Sequence, residues 1–112
     1  MRIIPETVII KHKNKEHDKM IFNSDPDTLH TLLTEIQEKT TPPHSISSLM
    51  ASMRCKGHSV NRADLTIDLL VLRNLKIIEY DVNTWHQKAI KPLYTKVNAH
   101  KNKEGRTVVK LE

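Results

Sequence analysis

The sequence predicts an α+β fold, in which a core of three helices lies between two β-hairpins, and three observations predict it. Apolar residues recur at helical spacing in three successive stretches between residues 25 and 75. Short β-forming runs flank a charged tip on each side of that core. The stretch Ser45 to Ile78 also reads as a helix, a glycine turn, a second helix and the start of a strand, the sequence form of a helix-turn-helix.

At 112 residues the chain is expected to be one domain. Its parts are an N-terminal hairpin over 1–23, a helical core over 25–78, and C-terminal strands with a second hairpin over 79–112. Thr7-Val8-Ile9-Ile10 and Lys19-Met20-Ile21-Phe22 are the first pair of strands, joined by the charged loop 11–18, with Pro5 at the start where an edge tolerates proline. The first helix has Ser24 or Asp25 as its cap, Pro26 at its first position and Asp27 in its first turn. Leu29, Leu32, Leu33 and Ile36 form its buried stripe, and Pro42-Pro43 follow its end.

Ser45 caps the second helix, whose apolar residues Ile46, Leu49, Met50 and Met53 fall at i, i+3, i+4 and i+7. Gly57 closes it in the left-handed conformation. Ser59 then caps a third helix starting at Val60 and running through Leu65, Leu69 and Leu72 to about Leu75. Residues 83–90 are readable as a short helix before Pro92 or as irregular strand. Leu93–Val97 and Arg106–Lys110 are the strands of the second hairpin, around a basic tip. The terminal Leu111-Glu112 is set aside as uninformative.

The order Ser59-Val60-Asn61-Arg62, then Leu65, Leu69 and Leu72, then Asn74-Leu75-Lys76-Ile77-Ile78-Glu79-Tyr80 resembles the recognition helix and first wing strand of bacterial winged helix-turn-helix regulators. The resemblance covers about a third of the chain. Where that family has a glycine before the strand, this chain has Leu75-Lys76. The resemblance implies a winged-helix fold and a non-enzymatic double-stranded DNA-binding protein, a transcriptional repressor or an accessory factor at a plasmid or phage site. It also implies a homodimer on two half-sites, against which a pseudo-symmetric monomer is the alternative.

Charge points to a polyanion. Residues 88–110 hold seven basic side chains against Glu104 alone, a net of +6, while the whole chain carries +5. The alternative reading of this strip is a solubilising surface. His12-Lys13-Asn14-Lys15-Glu16 and His100-Lys101-Asn102-Lys103-Glu104 are the same five residues, each at a predicted hairpin tip. Read functionally, they are equivalent basic fingertips on either side of the helix-turn-helix; chance or shared turn chemistry is the other reading.

The residues expected to meet DNA are therefore Ser59, Asn61, Arg62 and Thr66 on the third helix. His100, Lys101, Asn102, Lys103 and Arg106 are expected on the C-terminal hairpin as a wing, and Lys11, Lys13 and Lys15 at the N-terminal tip. Arg62 suits guanine and Asn61 adenine; Ser59 and Thr66 suit phosphate. Asp64 and Asp68 oppose this with negative charge, and Ile67, Leu70 and Val71 widen the apolar surface, which favours a protein-interaction module as the rival function. A metal- or redox-responsive sensor using Cys55 and histidines, His58 standing at a ligand-like spacing from the cysteine, is a third reading.

Catalytic motifs are missing. The sequence has no glycine-rich phosphate loop, HExxH or CxxC, and its seven histidines are scattered over different elements, so neither enzymatic activity, a cofactor nor a metal is expected. No apolar run reaches the length of a membrane span, and a lone Cys55 suits a reducing cytoplasm.

Overall fold

The computed structural model of the chain describes residues 8–17, 22–38, 45–80 and 90–112. In chain order these form strands β1 (Ile9–His12) and β2 (Lys15–His17), helices α1 (Pro26–Glu38), α2 (Ile46–Cys55) and α3 (Arg62–Asn74), and strands β3 (Ile78–Tyr80), β4 (Ile90–Pro92), β5 (Val97–Lys101) and β6 (Thr107–Leu111). The class is α+β. No described helix is long and apolar enough to cross a membrane.

The helices form where periodicity and caps agree. Asp25 is the cap of α1: its carboxylate accepts the Thr28 N–H at 2.7 Å, and its carbonyl accepts the Leu29 N–H at 2.9 Å. Ser45 caps α2 by accepting the Ser48 N–H at 3.1 Å. Leu29, Leu32, Leu33, Ile36, Leu49, Met53, Leu65, Leu69 and Leu72 are all fully buried, the stripes expected of three packed helices. Each contributes roughly 1.5–3 kcal/mol by leaving water.

Helix α3 starts two residues later than its sequence suggests. Its cap is Asn61, whose side chain accepts the Asp64 N–H at 2.8 Å, and Ser59 is left exposed in the turn. The apolar Val60 is the reason. Standing just before the cap, it packs on the core that holds Leu65, as a hydrophobic staple requires.

Two helices end with the same geometry on different residues. At α2 the His58 N–H reaches the Met53 carbonyl and the Gly57 N–H that of Arg54, with Gly57 at φ +87°. At α3 the Ile77 N–H reaches Leu72 and the Lys76 N–H reaches Arg73, with Lys76 at φ +62°. Both are Schellman closures. Lys76 thus takes the left-handed place usually held by glycine, at a cost of about 1–2 kcal/mol for a side chain with a Cβ.

The hairpins differ most from expectation. The first is tight: Ile10 pairs with His17, Lys11 with Glu16 and His12 with Lys15, across a two-residue turn of Lys13 (φ +49°) and Asn14 (φ +64°). Two left-handed residues make a type I′ turn, whose twist suits a hairpin. Residues 11–17 are therefore mostly strand and not loop, and Phe22 is a buried core residue outside β2. Thr7 and residues 18–21 lie outside the described residues. In the second hairpin the first strand is shifted by four residues, to Val97–Lys101, with Leu93–Lys96 preceding it, while its partner Thr107–Leu111 lies within one residue of the expected strand. Leu111, set aside from the sequence, is buried and pairs with Val97.

Both hairpins belong to one four-stranded sheet in the order β2-β1-β6-β5, with β1 and β6 parallel. Parallel pairing sends the two tips to opposite ends of that sheet, because the chain runs towards its tip along β1 and away from it along β6. Strands β3 and β4 form a separate ribbon, with Ile78 paired to Pro92 and Tyr80 to Ile90. The stretch 83–89, readable as helix or strand, lies outside the described residues, and Ile90 is strand. Helix α1 packs on β4 and β5, whereas α3 packs on β3.

Candidate nucleic-acid interface

Helix α3 carries different chemistry on the two sides of its core stripe. Asp68, adjacent to Leu65, Leu69 and Leu72, is fully buried and accepts three hydrogen bonds from the segment that opens α1: Asn23 N–H at 2.7 Å, Ser24 N–H at 3.0 Å and Ser24 Oγ–H at 2.6 Å. Its charge is structural. It is turned inward, away from any surface that DNA could approach, so it does not oppose a polyanion as the sequence suggested.

The other side is basic. Arg62, Thr66 and Arg73 stand at i, i+4 and i+11 and so share a flank. Arg62 is exposed, with its guanidinium 3.4 Å from the Ser47 hydroxyl of α2. Thr66 is half-buried and donates its hydroxyl to the Arg62 carbonyl at 2.8 Å. Among the described residues neither arginine forms an ion pair. The row continues past the helix end to Lys76 and, on β4, Lys91.

Arg73, Lys76, Glu79, Tyr80 and Lys91 line a hollow of about 550 Å³ between the end of α3 and the β3–β4 ribbon. Three cations face one carboxylate there. Tyr80 is 4% exposed, and its hydroxyl is buried without a hydrogen-bond partner among the described residues. Burial pushes the phenol pKa up, and the nearby positive charges of Arg62 and Arg73 pull it down.

The remaining expected residues are spread apart. Asn61 has its side-chain oxygen engaged as the cap, leaving its NH2 group as the available donor. Ser59 and Asn61 line a hollow that also holds Asp25 and Asp64, a poor place for phosphate. On the C-terminal hairpin His100 and Lys101 are exposed strand residues and Lys103 is exposed in the turn. Asn102 organises that turn: its side-chain oxygen accepts the Glu104 and Arg106 N–H groups, each at 3.0 Å. Arg106 is half-buried. Lys11, Lys13 and Lys15 are exposed on the first hairpin, at the far end of the sheet from residues 102–106. The structure thus places Arg62 and Thr66 on the flank of α3 that ends at Arg73, which shares a hollow with Lys76, Tyr80 and Lys91, and it does not bring the two hairpin tips together.

Arg73, Lys76, Tyr80 and Lys91 are not among the DNA contacts expected from the sequence, although Lys76 and Tyr80 stand in the stretch that resembles a first wing strand. The signal for Arg73 was present, since three helical turns separate it from Arg62. Lys91 and Tyr80 come in through strand pairing, which the sequence does not display. Of the third reading, Cys55 is exposed, while the His58 ring lies between the Thr28 and Thr31 hydroxyls at 3.0 and 3.2 Å. Comparison of the chain with family models, curated proteins and solved structures gives no match.

Proposed function

We propose that this chain is a non-enzymatic double-stranded DNA-binding protein of the winged helix-turn-helix type, acting as a repressor or as an accessory factor on a mobile element. The observation that supports it best is the run of cations along one flank of α3, from Arg62 through Arg73 to Lys76 and Lys91, with Glu79 the one acid among the described residues of the hollow they reach. In this reading the N-terminal half of α3 offers Arg62 and the Asn61 amide to base edges in the major groove, and the later cations sit on the phosphate backbone. The wing is the β3–β4 ribbon, which follows α3 directly in the chain, and not the 98–106 tip. The basic C-terminal hairpin then serves as an additional backbone contact.

Selection of bound duplexes from a random pool, followed by salt titration, tests this. Affinity should fall with salt at a log-log slope of about 0.9 per neutralised phosphate. Arg62→Ala should cost about 1–3 kcal/mol on the selected sequence and less on random DNA. An unselected pool with salt-insensitive association would sink the reading. It would favour the protein-interaction module, which has one observation of its own: Ile67, on the outward side of α3, is 49% exposed.

A further inference from the structure

We infer that the hollow between the end of α3 and the β3–β4 ribbon is a built phosphate-binding site. Its occupant is a phosphate group held by Arg73, Lys76 and Lys91, with the Tyr80 hydroxyl as the neutral donor. Three independent observations meet there. The first is charge: three cations and one carboxylate line the hollow, and none of these groups is in an ion pair among the described residues. A divalent or singly charged oxyanion balances that excess. Glu79, directly across the ribbon from Lys91, turns the site towards small anions whose other oxygens point away from it.

The second observation is the phenol. A buried hydroxyl normally finds a partner, because leaving a donor unpaired costs what water would have supplied. Tyr80 has none among the described residues, and the charges that act on its phenol are the positive ones of Arg62 and Arg73. A phosphate oxygen in the hollow supplies the missing acceptor. Arginine forks and a phenol O–H are matched to the several lone pairs of a tetrahedral oxyanion.

The third is backbone strain at Lys76. The Schellman closure of α3 needs a left-handed residue, and α2 meets the same need with Gly57. At α3 a lysine occupies the strained position, and its side chain lines the hollow. Strain kept at one residue of a cationic hollow is the pattern of a ligand clamp.

The phosphate has two sources: a duplex phosphodiester, which rests on α3 being the DNA interface, or a free phosphate group, which does not. Titration of the full chain with inorganic phosphate, followed by amide NMR against chloride at matched ionic strength, tests the site itself. Saturable shifts confined to residues 73–80 and 91–93 are expected. Tyr80→Phe, Lys91→Ala and Arg73→Ala are each expected to weaken that binding about tenfold. Lys91 is exposed, so Lys91→Ala keeps the test decisive even if the α3 variant fails to fold. Shifts spread evenly over all the lysines, or variants that bind phosphate like the parent, would overturn the inference. Duplex binding in parallel separates the sources. Saturable phosphate binding with no duplex affinity retires the DNA reading and keeps the site for a free phosphate ligand, whereas duplex binding unaltered by all three variants with no saturable phosphate leaves the DNA reading and removes the site.

Discussion

The two flanks of α3 use charge in opposite ways. On one, Asp68 is wholly buried and all its work is internal: three donors from residues 23 and 24 converge on it and tie the start of α1 to α3. On the other, Arg62 and Arg73 act on a phenol that lacks a hydrogen-bond partner, and among the described residues neither arginine is in an ion pair. A charge that completes the fold is satisfied before any ligand arrives. A charge left without a counter-ion at a surface hollow is available to one. The contrast also separates stability from binding in experiment.

The largest expected effect is at Asp68. Asp68→Ala strips the acceptor from two backbone N–H groups and a hydroxyl, and should lower unfolding stability by about 3 kcal/mol. Urea unfolding with an unchanged m-value would read it. Arg73→Ala should leave the same midpoint within about 0.5 kcal/mol while weakening duplex binding. If Arg73→Ala destabilises as much as Asp68→Ala, the arginine flank is structural and the contrast collapses.

Next come the caps. Asn61→Ala should cost about 1 kcal/mol of stability, because the Asp64 N–H loses its acceptor. Asn61→Asp keeps that acceptor and removes the NH2 donor. It should therefore fold like the parent and bind DNA less well, which divides the residue's two roles. Asp25 gives the matching effect in pH. Its hydrogen bonds from Thr28 hold its carboxyl below the usual aspartate range. A folded-state pKa depressed below the unfolded one contributes stability fully present above the unfolded value and lost as the pH falls through the folded one. Acid titration of the midpoint below about pH 4 should be shallower in Asp25→Ala than in the parent.

These contrasts also mark what was legible in the sequence. The helices were readable because stripe, cap and stop coincide within a few residues, as at Ser45, Ile46–Met53 and Gly57. The hairpins were misplaced because their strands are charged: Lys11, Lys15 and Glu16 point outward beside the buried His12, and β5 is exposed along most of its length. Such strands lack the apolar alternation that betrays a half-buried one. The identical five-residue strings took different turns, a two-residue type I′ at Lys13-Asn14 and a longer turn organised by Asn102, because the flanking strands set the register. Asp68 looked like a charge against DNA because its donors lie about 45 residues upstream. At the candidate site Arg62 and Thr66 were found from one helix, while Tyr80 and Lys91 needed the ribbon.

The smallest effect is the most specific, since it sets the two helix ends against each other. Gly57 and Lys76 hold equivalent positions, and a Cβ added at Gly57 meets nothing within 4 Å, so only backbone preference distinguishes the residues there. Lys76→Gly relieves the left-handed penalty of about 1–2 kcal/mol. Against this, glycine loosens the unfolded chain by about 0.4–1 kcal/mol. The relief wins, and the variant should be more stable by about 0.5–1 kcal/mol, a rise of a few degrees in thermal midpoint. Gly57→Ala should move the midpoint down by a similar amount. A more stable Lys76→Gly that also loses phosphate and duplex affinity would make the lysine a residue kept for binding at the expense of the fold. A less stable one would mean that the lysine stem packs on the ribbon, and that the two helix ends are not alike.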